Sequence, residues 1–209
     1  MNLKAYRSVV KDYATDSFIE KKSEFISYVK RIDSEEDAKN FVAEIKSKHS
    51  DATHNCYAYV VRGTEIARFS DDGEPSGTAG MPILDVIKRE GLSGVCIVVT
   101  RYFGGILLGA GGLVRAYAKG AKIGIDAAGT ADFVPYVTFE ADFSYSDYEK
   151  IQNEAPKYGV KIDNVVYEVQ VTMQMSAVTD NFLKFSDFVT DYTNGKVCLK
   201  QTGETFGPA

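Results

Sequence analysis

Two glycine-rich segments hold most of the residues that could do chemistry in this chain. The first, residues 70–80, reads Ser-Asp-Asp-Gly-Glu-Pro-Ser-Gly-Thr-Ala-Gly. Asp71, Asp72 and Glu74 could act as bases or supply hard oxygen ligands to a divalent metal. Ser76, Gly77 and Thr78 sit where backbone N–H groups near a helix start would favour an anion. The same stretch also reads as a long turn in which Asp caps and Gly relieves strain. It has no Gly-Lys-Ser/Thr, so it is not a Walker A loop.

The second segment, residues 101–112, leaves an apolar strand and opens a helix, which is where phosphate-binding loops sit. It carries Gly104, Gly105, Gly109, Gly111 and Gly112. Gly109-Ala110-Gly111 begins a Rossmann fingerprint that Val114 leaves incomplete, so no nicotinamide cofactor is expected. Arg101 could grip a phosphate or carboxylate, or bridge to Asp71 or Asp72. Tyr102 and Phe103 could stack on bases or fill core. His54-Asn55-Cys56 brings an imidazole and a thiol close in sequence. Alternate strand residues share a face without being oriented as base and nucleophile, and four zinc ligands cannot be assembled. Gly-x-Ser-x-Gly is absent. No cofactor and no metal are expected.

Composition narrows the rest. Cys56, Cys96 and Cys198 are an odd number without Cys-x-x-Cys spacing, which predicts neither a disulfide framework nor a zinc ribbon and suits a cytoplasmic protein. No apolar run approaches the roughly 18 residues of a membrane span, and Met1–Tyr6 has no signal-peptide core. Residues 1–130 hold 18 Lys and Arg against 17 Asp and Glu, while residues 131–209 hold 6 against 12. Any RNA contact is therefore expected in the first part, because the acidic second part would repel phosphates.

The elements that must position these residues follow from periodicity. Residues 8–32 read as two strands and residues 35–48 as an amphipathic helix with Ser34 as N-cap. Residues 56–61 and 65–69 read as a hairpin, and 82–90 as a helix. Residues 94–100 read as a buried strand, and 113–127 as a helix softly broken by Gly120 and Gly124. Beyond Asp132 come a strand (134–143), a helix (146–158, capped by Ser146 with Glu149), strands (160–166, 168–175), a helix (179–192) and a strand (196–199). That β-α-β-β-α-β order is the ferredoxin-like, split βαβ unit. The predicted class is α+β, with domains at 1–131 and 132–203 and a loose tail at 204–209.

Three stretches carry a resemblance. They are His54-Asn55-Cys56-Tyr57-Ala58-Tyr59; residues 70–80 followed by Met81-Pro82-Ile83-Leu84; and Val98-Val99-Thr100-Arg101-Tyr102-Phe103-Gly104-Gly105-Ile106-Leu107-Leu108-Gly109. Together they resemble the IMPACT/YigZ family, also called uncharacterised protein family 0029, in its two-domain bacterial form. The resemblance implies an α/β sandwich like the second domain of ribosomal protein S5 for the first domain. It implies likeness to domains four and five of the translocation elongation factor for the two domains in turn. Eukaryotic relatives act in translational control, competing for the activator of an initiation-factor kinase. The expected function is a non-enzymatic, translation-associated binding module. It would contact ribosome, RNA or a regulatory protein through both glycine loops, with Arg68, Arg101 and Arg115 nearby. The alternative is a small-molecule enzyme using Asp71, Asp72 and Glu74 beside an anion-binding glycine loop.

Overall fold

The computed structural model describes residues 4–209; residues 1–3, assigned above to the first domain, lie outside it. The chain is α+β, with five α-helices and two antiparallel sheets among the described residues. It divides into two compact units, Tyr6–Asp132 and 133–209, the latter taking Lys4 and Ala5 as well.

The first unit runs β1 (Tyr6–Val9), β2 (Tyr13–Glu20), β3 (Ser23–Arg31), α1 (Glu35–Lys48), β4 (His54–Val60), β5 (Ala67–Ser70), α2 (Gly80–Arg89), β6 (Val95–Tyr102) and α3 (Ala110–Ala128). Its sheet order is β2-β3-β6-β4-β5, antiparallel throughout. The apolar run in β6 is explained by its central place. Val95, Ile97 and Val99 enter the core under α2 and α3, whereas Cys96 and Val98 enter the core under α1. Side chains alternate across a strand, so this parity decides which residues can meet at a site.

Helix α1 starts where its capping chemistry predicts. Ser34 accepts from the Asp37 N–H, and the Asp37 carboxylate accepts from the Ser34 N–H. It buries Ala38, Phe41, Val42 and Ile45, with Phe41 and Ile45 each contributing about 1.5–3 kcal/mol. Helix α3 starts three residues earlier than its apolar periodicity suggests, and Gly120 and Gly124 do not break it. A Cβ on Gly124 would lie 2.2 Å from Ser27 Oγ, so glycine there lets the helix lie close on the sheet. The segment 8–32 contributes to three strands rather than two, because the turn at 10–12 interrupts it.

The second unit runs β7 (Thr130–Phe143), α4 (Tyr145–Glu154), a 3-10 turn (Ala155–Tyr158), β8 (Lys161–Tyr167), β9 (Val171–Ala177), α5 (Thr179–Tyr192) and β10 (Lys200–Pro208). The antiparallel order β10-β7-β9-β8 is that of a split βαβ unit. Two expectations are corrected. Ser144, not Ser146, caps α4 by accepting from the Asp147 N–H, which moves the cap back by two residues. The last strand is not 196–199, and residues 204–209 are not a loose tail. Lys200–Pro208 pairs with β7 from Glu140↔Lys200 to Phe133↔Pro208. Backbone pairing orders this polar stretch where side-chain patterning gives no strand signal.

A chain ending at Leu199 should therefore lose the pairing along one edge of β7. We expect the second unit's unfolding midpoint to fall by roughly 10 °C or more in calorimetry. An unchanged midpoint would show that β10 adds nothing to the sheet.

Candidate functional site

The ends of β4 and β6, the loop 71–79 and the loop 103–109 converge at one side of the first unit. On β6 the side chains of odd-numbered residues point toward α2 and α3, and His54↔Arg101 are register partners on β4 and β6. His54, Glu74 and Arg101 therefore meet. They line a cleft of about 400 Å³ with Thr53, Pro75, Phe103, Leu107, Leu108 and the first residues of α3.

At its floor, Arg101 Nη1 donates to Glu74 Oε1 at 2.6 Å, and Tyr117 Oη donates to the same oxygen at 2.8 Å. The Glu74 and Arg101 side chains are only 3% and 6% exposed. The Arg101 guanidinium carbon lies 5.5 Å from the Phe25 ring centre and 5.4 Å from that of Phe103. Its Nη2 reaches Ser23 Oγ at 3.4 Å, while its Nε–H is buried without a hydrogen-bond partner. Burial first, and then the neighbouring Cys56 and Glu74, push the Tyr117 hydroxyl well above its ordinary range, so it stays a donor.

The acidic loop satisfies itself. Asp71 accepts from the N–H groups of Gly77, Ala79 and Gly80 at 2.9, 3.0 and 2.8 Å. It thereby caps α2 from eight residues upstream of Ala79, placing negative charge at the positive end of the helix. Asp72, held at φ +46°, accepts from the Asn55 N–H at 2.7 Å and pairs with Lys46 Nζ at 2.5 Å. Its carbonyl accepts from His54 Nδ1–H at 2.8 Å, which fixes the tautomer and leaves Nε2 as the free ring nitrogen, 3.9 Å from Glu74 Oε2. The Thr78 hydroxyl donates to the Pro75 carbonyl at 2.6 Å, and Ser76 is exposed. Among the described residues no group of three His, Cys, Asp or Glu could hold a metal ion.

Several expectations change here. Arg101 pairs with Glu74 rather than with Asp71 or Asp72, because both aspartates are taken up by backbone N–H groups. Asp71, Asp72 and Glu74 do not form one open carboxylate cluster, because each turns to different partners. Arg68 faces α1, 3.7 Å from Glu35, on the opposite side of the sheet from Arg101. Tyr102 also faces that side, where its hydroxyl meets His49 Nδ1 at 2.8 Å and donates to Asp51 at 3.0 Å. Cys56 donates to the Asp71 carbonyl at 2.9 Å, and burial pushes its thiol well up.

The glycine loop is fastened at one end. Gly104 N–H donates to Ser23 Oγ at 3.2 Å, and a Cβ on Gly104 would lie 2.0 Å from the Lys22 carbonyl group. No side chain caps α3 at Gly109, and its first turn has no acidic residue. Leu107, whose side chain the sequence reading passed over, is 81% exposed at the cleft rim. On the other side of Leu108 lies a second depression of about 240 Å³, lined by Phe18, Glu20, Lys21, Gly112, Arg115 and Lys119. Lys119 Nζ stands 4.2 Å from the Phe18 ring centre. Lys21 and Lys119 were not among the expected site residues, although the i,i+4 spacing of Arg115 and Lys119 was a legible signal.

Two outcomes test this geometry. Arg101→Met should cost about 3–5 kcal/mol in urea unfolding, because it strands the Glu74 charge. Adding Glu74→Gln should recover part of that loss. A cost below about 1 kcal/mol would make the pair dispensable. In the native protein Cys198 alone should react quickly with a thiol reagent, because Cys56 and Cys96 are buried; denaturation should expose all three. Prompt native reaction at Cys56 would contradict its packing.

Comparison with known proteins places this geometry. The Impact N-terminal domain matches residues 21–125, and a domain of unknown function, DUF1949, matches residues 142–196. The IMPACT family member YvyE of Bacillus subtilis is 38% identical over 198 residues, covering 94% of this chain and 91% of that protein. A crystal structure of an hypothetical protein aligns with a TM-score of 0.61 at 32% identity, over 96% of this chain and 98% of that one. The Protein IMPACT homolog of Dictyostelium discoideum is 36% identical over 102 residues, which is 46% of this chain and 29% of that one. With both domain matches in order and a relative alike over nearly its full length, the chain belongs to the IMPACT family.

Proposed function

We propose that this protein is a non-enzymatic, cytoplasmic binding module of translation that docks on ribosomal RNA through its first unit. The observation that carries the reading is the set of three cations around the depression beside Leu108. Lys21, Arg115 and Lys119 line it with one carboxylate, Glu20, and none of the three is in an ion pair among the described residues. Unpaired cations spaced one helical turn apart suit successive phosphates, and they release counterions when they bind.

The translation assignment rests on family membership and on the role that the resemblance implies for eukaryotic relatives. The charge distribution agrees with it. The first 130 residues are close to neutral overall, so a local basic patch is not cancelled by a strongly acidic background. The 131–209 segment, with twice as many acidic as basic residues, serves as the non-contacting half. Among the described residues no helix is long and apolar enough to cross a membrane.

Arg68 and Arg101 do not belong to this surface. The first faces the other side of the sheet, and the second is buried against Glu74. The decisive experiment is co-sedimentation with ribosomes over a salt series, using the intact protein and an Arg115→Glu/Lys119→Glu variant. We expect the intact protein to pellet at low salt and to be released steeply as salt rises. The variant should bind roughly 10-fold or more weakly and show a salt slope reduced by about 1 to 2. A supernatant protein at every salt concentration, or a variant that pellets unchanged, would overturn the reading.

A further inference from the structure

The depression beside Leu108 holds more than phosphate docking uses. Phe18, Leu108, Gly112 and Ala116 give it an apolar floor alongside the three cations. Phosphates need no such floor, because charge and N–H donors hold them. The Phe18 ring is backed by buried Phe25, stacked with centres 5.1 Å and planes 7° apart. At the depression a lysine covers it, Lys119, with Nζ 4.2 Å from the ring centre. Lys119 is in no ion pair among the described residues. It is therefore free to turn to a phosphate and give up the ring to a flat group. At about 240 Å³ the depression suits one planar ring system, below the about 300–1,000 Å³ of drug-sized sites.

Glu20 narrows the choice of that ring system. It stands two residues from Phe18 on β2, hence on the same face of the sheet, and is exposed. It makes no ion pair with Lys21, Arg115 or Lys119. A carboxylate there repels phosphates but accepts from N–H groups on the edge of a base. Guanine presents two such donors side by side, N1–H and the N2 amino group, which match the two carboxylate oxygens. Adenine and cytosine offer one amino group beside an acceptor, and uracil a single N–H.

The turn that carries Lys21 is a third observation. Glu20 pairs with Ser23 across two residues, and φ is +47° at Lys21 and +66° at Lys22. This is type I′ geometry, which favours Asn-Gly, so two lysines go against local preference. The loop after β6 locks the turn, because Gly104 seats where a Cβ would lie 2.0 Å from the Lys22 carbonyl group. Backbone strain of this kind gathers at ligand sites.

We propose that the depression takes one unpaired guanine base of an RNA strand. Its ring lies on Phe18, its N1–H and N2 amino edge meets Glu20, and its flanking phosphates meet Lys21, Arg115 and Lys119. This rests on the RNA-docking reading above and makes the contact single-stranded, since pairing would occupy that edge of the base.

The full-length protein is titrated into fluorescein-labelled nine-residue RNAs, all-U or with one central G or A, and followed by anisotropy. A hairpin with the G paired is compared, with guanosine monophosphate and a polyglutamate peptide as competitors. We expect the G oligomer to bind about 10-fold more tightly than the A oligomer, the all-U oligomer or the hairpin. Glu20→Gln should erase the preference for G and bind all-U RNA at least as well, because a repelling charge is gone. Phe18→Leu, which keeps an apolar side chain in the core, should weaken the G oligomer about 10-fold. Lys21→Asn/Lys22→Gly should raise the unfolding midpoint while weakening every oligomer.

Equal binding of the G, A and all-U oligomers, or a G preference that survives Glu20→Gln, overturns the guanine site and leaves RNA docking standing. Tighter binding of the hairpin overturns the single-stranded contact. Guanosine monophosphate competing as well as the G oligomer would assign the site to free nucleotides and overturn an RNA source. If no RNA binds at low salt, or polyglutamate displaces the G oligomer as well as unlabelled RNA does, both readings fall together.

Discussion

Glu74 and Arg101 are both withdrawn from solvent, and each would be costly there alone. Removing two charges from water costs several kcal/mol per ion even after relaxation, so the pair has to be held in close geometry with further hydrogen bonds. Tyr117 and Ser23 supply those bonds, and the rings of Phe25 and Phe103 flank the guanidinium. Those partners come from β3, α3 and the loop after β6, while Glu74 itself sits in the loop after β5. One ion pair therefore ties the acidic loop to the central strand and to the long helix. Move any of these elements, and a charge is left buried without its partner.

The remaining polar groups of the acidic loop follow from that anchoring. Once Glu74 is fixed inward, the turn behind it must satisfy its own backbone, and Asp71 does so by accepting three N–H groups across the start of α2. Asp72 turns the opposite way in a left-handed conformation, which brings its carbonyl to His54 and its carboxylate to Asn55 and Lys46. Three neighbouring acids thus do three different jobs. Together they tie the loop to α2, to β4 and to Arg101.

How much of this could be read from the sequence depended on the range of the interaction. Helix α1 was legible from Ser34, its acidic first turn and the spacing of Ala38, Phe41, Val42 and Ile45, all within fifteen residues. The buried strand β6 was legible because a run of apolar residues admits few other places in a fold. Both glycine loops were recognisable as the place where functional groups gather. The pairing of Arg101 with Glu74 was not legible, since three acids stood within reach in sequence and only the fold decides which one turns inward. Arg68 and Tyr102 show the complementary limit. Strand parity alone put Tyr102 opposite Arg101, but the position of Arg68 needed the Tyr59↔Arg68 register. The C-terminal strand failed for another reason: Lys200–Pro208 is held by backbone pairing to β7, which leaves almost no trace in side-chain pattern.

The start of α3 sets stability against availability. Gly109-Ala110-Gly111-Gly112 is a poor way to begin a helix, because glycine costs about 0.5–1 kcal/mol relative to alanine in a helix interior. A Ser, Asp or Asn in place of the Gly109 cap would add only about a few tenths of a kcal/mol, and at φ +75° would be strained. At α2 the fold solves the same problem by bringing Asp71 to the terminus, so capping from a distance is within its means. At α3 the nearest buried acid, Glu74, is turned onto Arg101 and Tyr117 instead. The N–H groups are thereby left open beside a walled cleft, and their lost stabilisation is offset by the packing of Leu113, Tyr117, Ala121 and Ile125 further along the same helix. The terminus of α3 is thus left uncapped by the same inward turn of Glu74 that holds Arg101 and Tyr117 together.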